Sequence, residues 1–171
     1  MQKKQLVKHL LELANHHATF AINESLKTEG IISLNEEEAL NRFAVRMQQN
    51  GGYLRENASW MPSPTSATSD PISFHHYYID FQHWQTDIHL TYRYANHQLT
   101  LQNIAQAPFP RPTGGQFQIT ITNQSGETIH LAPKTITGPS LIMLAYIDDR
   151  PISPLLPGHA FPVLSVETIK F

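Results

Sequence analysis

The sequence has no cysteine in 171 residues. That excludes disulfide frameworks, cysteine-based zinc sites and thiol catalysis. Charge is also scarce. Asp, Glu, Lys and Arg make up 15% of the chain, against about 25% in an ordinary globular protein. The 12 basic and 14 acidic residues give a formal net charge of −2. A protein that grips nucleic acid by bulk electrostatics needs a basic excess, and the nearest thing to one is Lys3, Lys4 and Lys8. Long apolar runs are missing as well. The longest clean run, Leu141–Ile147, is far short of the roughly 20 residues that span a bilayer. Lys8, His9, Glu12 and Asn15 interrupt what would be the apolar core of a signal peptide, so a cytoplasmic location is expected. Gly-x-Ser-x-Gly, the phosphate-binding loop and the dinucleotide fingerprint are all absent. No cofactor and no catalytic residue are therefore expected.

What the chain does contain is β pattern. Gln116–Thr122 alternates strictly, with Phe117, Ile119 and Ile121 on one face and Gln116, Gln118, Thr120 and Thr122 on the other. Asn123-Gln124-Ser125-Gly126 then turns the chain, and Thr128–Leu131 returns. Such alternation across a polar, glycine-containing turn predicts an antiparallel hairpin with one apolar face to be covered. Phe74–Phe81 is a strand with Phe74, His76 and Tyr78 on one face and His75, Tyr77 and Ile79 on the other. Thr86–Tyr94 points Ile88, Leu90, Tyr92 and Tyr94 inward, and Gln98–Ile104 returns after a turn at Ala95-Asn96-His97. These three are expected to form a meander. Pro108–Gly115 breaks the sheet as an exposed connection or a crossover. Ser140–Ile147, apolar almost throughout, reads as a central strand covered on both faces. Asp148-Asp149-Arg150 is expected to turn, Pro151–Pro162 to loop, and Val163–Phe171 to form the last strand.

The N-terminal part is helical in pattern. Leu6, Leu10, Leu13, Ala14, His17, Ala18 and Ala21 form one stripe over 3–27. A second helix starts at Ser33 or Asn35, with Glu36–Glu38 in its first turn and Leu40, Phe43, Ala44 and Met47 buried. The acidic triplet reads as a helix start, not a metal site. The whole is an α+β protein: a helical hairpin over 1–52, a Pro/Ser/Thr-rich linker or loop over 53–72, and a mostly antiparallel seven-stranded β-sandwich or partly closed barrel over 73–171.

The leading functional expectation is a non-catalytic accessory or protein-interaction protein, with a protein partner or a homodimer, docking through the helices or the proline-rich loops. Four side chains are candidates for ligand or partner binding. Trp60 and Met61 open the Pro/Ser/Thr-rich stretch, and Trp84 and Phe109 lie in loops. A second expectation is a small-ligand or carbohydrate-binding sandwich that uses Trp84 and Phe109. A third is a metal-dependent enzyme with ligands drawn from several strands, such as His75, His89 and His130. None of the 10 histidines lies in His-x-His, His-x3-His or His-Glu-x-x-His spacing.

Overall fold

A computed structural model describes residues 3–31, 33–149 and 159–169. Among the described residues three helices precede ten strands: α1 (Lys3–Ala18), α2 (Glu24–Lys27), α3 (Glu36–Gly51), β1 (Leu54–Glu56), β2 (Ser59–Met61), β3 (Ile72–Ile79), β4 (Ile88–Ala95), β5 (Gln98–Gln106), β6 (Gln116–Asn123), β7 (Thr128–His130), β8 (Lys134–Thr135), β9 (Ser140–Asp149) and β10 (His159–Thr168). The strands make two sheets, ordered β1-β2-β3-β9-β10 and β5-β4-β6-β7, with β8 also paired to β6. Neither closes into a barrel. Ten strands replace the expected seven, because β1, β2 and β8 are too short to alternate visibly.

β9 explains the layering. Leu141, Met143, Ala145 and Ile147 face the helices, and Ile142, Leu144 and Tyr146 face the second sheet. Each such Leu or Ile contributes about 1.5–3 kcal/mol by leaving water. The helical layer completes the first core with Val7, Leu11, Ala14, Phe43 and Met47. The second sheet completes the other with Leu90, Tyr92, Phe117, Ile119 and Ile121.

The N-terminal helical segment departs from its expected pattern. α1 stops at Ala18, not near residue 27, because the chain turns to pair with itself. Asn23 donates its N–H to the Ser33 carbonyl (2.8 Å), Asn35 donates to the Ala21 carbonyl (2.7 Å), and Ile22 bridges to Leu34. Ser33 is thus held in a ribbon, and Asn35 caps α3 by accepting the Glu38 N–H at 3.1 Å. Within 53–72, expected as linker, β1 and β2 extend the first sheet through pairing with β3.

The expected meander divides between the sheets. β3 pairs with β2 and β9, whereas β4 pairs antiparallel with β5 and parallel with β6. β4 and β5 join through Asn96 and His97, at φ 51° and 59°, the mirror-image turn that suits strand twist. The 107–115 segment then carries the chain over the end of β4 to its other side. The β6–β7 hairpin forms as expected. Asp148 and Asp149 extend β9, paired with Ala160 and His159, instead of turning. The last strand begins at His159 and includes Pro162, which the sheet tolerates because β10 is an edge strand. Arg150, most of the expected Pro151–Pro162 loop, and residues 170–171 lie outside the described residues.

Candidate interaction site

One end of the second sheet is a clamp. Turn 80–87 enters β4, and loop 107–115 folds over it. Arg111 donates its N–H to the Gln85 carbonyl (2.7 Å), Gly115 to the Trp84 carbonyl (3.0 Å) and Ala107 to the Asp87 carbonyl (2.9 Å). Gly115 makes this approach possible, since a Cβ there would overlap the Thr86 carbonyl. Asp87 sits at the centre. It accepts the Gln116 N–H and the Arg111 Nη2, each at 2.8 Å. The Gln116 bond, with Arg111 beside it, holds its carboxyl below the usual carboxylate range. Asp80 is occupied separately by His83 Nδ1 at 2.5 Å, so the two aspartates do not form a pair.

Two of the four candidate side chains, Trp84 and Phe109, belong to this end. Trp84 is part of the turn, partly buried against the inter-sheet core. Phe109 tops the loop, 78% exposed. Phe81, which sequence reasoning did not single out, projects from the turn at 60% exposure. Beside the clamp is an open notch of about 350 Å³ on the outer face of the second sheet, lined by Asp87, His89, Ala105, Gln106, Gln116 and Gln118. Trp60 and Met61 are elsewhere, on β2 of the first sheet. Trp60 is only 2% exposed and packs against Phe43 and Phe74, with ring centroids 5.7 and 5.2 Å away. It fixes the 53–72 stretch to the body and offers no surface to a ligand. Met61, on the opposite face of β2, is exposed.

The tyrosines turn away from the outside. Tyr92, Tyr94 and Tyr77 face the inter-sheet core, and Tyr78 faces the helices, where its hydroxyl accepts the Leu34 N–H at 3.3 Å. Burial, with Asp148 nearby, pushes the Tyr94 hydroxyl up to about 12. The outer face of the second sheet is instead threonine, glutamine, histidine and Arg93, and among the described residues it holds no aromatic platform. The three histidines considered for a metal are split. His75 points into the inter-sheet core, with Nδ1 2.9 Å from the Tyr92 hydroxyl. His89 and His130 lie together on the outer face. Among the described residues no three His, Asp or Glu side chains converge as metal ligands.

The feature that sequence reasoning missed is an edge. Among the described residues β5 pairs only with β4. Its sequence, QLTLQNIAQ, carries no charge and no proline. That absence was visible in the sequence, but the edge position was not.

No family model, curated protein or solved structure matches this chain. No helix among the described residues is long and apolar enough to cross a membrane.

Proposed function

We propose that this chain is a non-catalytic interaction protein that receives an extended segment of a partner protein along the open edge of β5. The supporting observation is that edge. Unpaired strand edges recruit other strands, and proteins ordinarily guard them with charge, proline or brevity. The other edges are guarded: β10 holds Pro162, β1 is three residues long with Arg55 and Glu56, and β7 and β8 are three and two residues long. β5 has nine residues, and its single protective device is the extra residue Gln102 between Leu101, opposite Tyr92, and Asn103, opposite Thr91. This bulge limits regular pairing to short runs. The run Asn103–Gln106 ends at the clamp, where Ile104, 47% exposed, and Phe109 supply apolar contacts. The partner is therefore an extended segment carrying at least one large apolar side chain. An accessory role in the cytoplasm accompanies this reading.

The test compares two surfaces in pull-downs from the native source. Asn103→Lys/Ala105→Lys places charge on the β5 edge, and Leu13→Lys places it on exposed α1. A partner retained by the wild type and by Leu13→Lys but lost with the β5 variant supports the proposal. A partner lost with Leu13→Lys alone moves docking to the helices and overturns it. Light scattering on the same three proteins identifies a second copy if a wild-type dimer becomes monomeric only in the β5 variant.

A second reading is favoured by the notch lined by the Gln106, Gln116 and Gln118 amides: a small polar ligand such as a carbohydrate. Titrating glycans against tryptophan fluorescence checks it through Trp84. A saturable change lost in Phe109→Ala supports it, and an unchanged spectrum removes it.

A further inference from the structure

On the outer face of the second sheet two imidazoles share one hydroxyl. His89 Nε2 on β4 lies 2.8 Å from Thr120 Oγ1, and His130 Nδ1 on β7 lies 3.1 Å from the same oxygen. Thr120 is the β6 residue directly paired with His130. A threonine hydroxyl donates one hydrogen, so it donates to one ring and accepts from the other. The two ring nitrogens are consequently no more than about 6 Å apart. Neither is sequestered: His89 is half-buried and His130 is exposed. The residue opposite His89 on β5 is Ala105, whose small side chain leaves the notch open above the ring.

We propose that His89 and His130 together bind one divalent transition-metal ion, through His89 Nε2 and His130 Nδ1. Bound to one tetrahedral ion with metal–nitrogen distances of about 2.0–2.1 Å, the nitrogens would stand roughly 3.3 Å apart. Binding would require rotation of the two rings to close that difference. Imidazole selects zinc, copper or nickel over the hard cations magnesium and calcium. The remaining positions fall to water in the open notch, with the Gln118 amide, in register with His89, also lining it. Asp87 is not available as a third ligand while Gln116 and Arg111 hold its oxygens. The site would bind copper(II) more tightly than zinc or nickel, following the usual order for nitrogen donors.

Calorimetric titration of the full chain with zinc and with copper(II), in a non-chelating buffer, tests this. The expected result is one ion per chain in the micromolar range or tighter. Binding should weaken by at least about tenfold in His89→Ala and equally in His130→Ala. His97→Ala, which alters an exposed histidine elsewhere, should bind as the wild type does. Imidazole nitrogen shifts in the wild-type protein give an independent readout if a variant misfolds, and zinc should move those of His89 and His130 alone. Binding only at millimolar metal, affinity unchanged in both His89→Ala and His130→Ala, or shifts spread over all ten histidines would each overturn the proposal.

Discussion

Asn15 joins the helical layer to the first sheet. It is fully buried on α1, and its Nδ2 donates to the Leu141 carbonyl (3.0 Å) and to Ser165 Oγ (3.0 Å). A buried N–H is costly unless bonded, so these two Nδ2 bonds tie α1 to β9 and β10 in one register. His75 and His76 show the opposite effect at residue scale. Both are half-buried, and burial lowers their affinity for protons below the usual value of 6.5, with the neighbouring ring adding to it at His75. The unfolded chain therefore binds more protons than the fold as pH falls past that value. Stability from these two residues is complete above about pH 6.5 and is lost below it, towards their folded values. Between about pH 7.5 and 5.5 the urea midpoint of the wild type should fall, and that of His75→Gln/His76→Gln should fall less. An equal fall in both would show that neither histidine is kept neutral by the fold.

At the scale of elements, the clamp makes a sharp prediction. Gly115→Ala forces a methyl group against the Thr86 carbonyl, and backbone cannot give way as a side chain can. The variant should lose about 1–3 kcal/mol in denaturant titration. The N–H groups of Ala107, Arg111 and Gly115 should exchange faster with solvent. A variant as stable as the wild type would mean that loop 107–115 does not close on turn 80–87.

Elements also mark how much could be read beforehand. Alternation correctly assigned Ile88, Leu90, Tyr92 and Tyr94 to one buried face, and Phe74 and Tyr78 to the face opposite Tyr77 and Ile79. It could not assign partners. Period two tells a residue which face it occupies, while pairing depends on hydrogen bonds to distant strands. β3 and β4 are consecutive but lie in different sheets, and β4 and β6 are parallel. The same gap hid the proposed interaction surface. Trp84 and Phe109 were recognisable as loop aromatics, but their placement at one end depends on the crossover. The open edge of β5 depends on β6 having taken the other side of β4.

At the scale of the whole molecule, β9 needs two covers. Helices α1 and α3 supply one and the second sheet supplies the other. The helices are therefore structural, and their inward face is spent on the core. This is why the proposed recognition surface lies on the far sheet, where an edge remains open. The measurement that tests this most directly is the folding of residues 53–171, which keep all ten strands and lack only the helices. Removing the helices uncovers Phe74, Leu141, Met143, Ala145 and Ile147 together, more apolar surface than a marginally stable fold can expose. We expect no cooperative thermal transition and poor dispersion of amide resonances. A folded, monomeric fragment with a sharp transition would contradict the layered account and return the helices to the role of a free docking element.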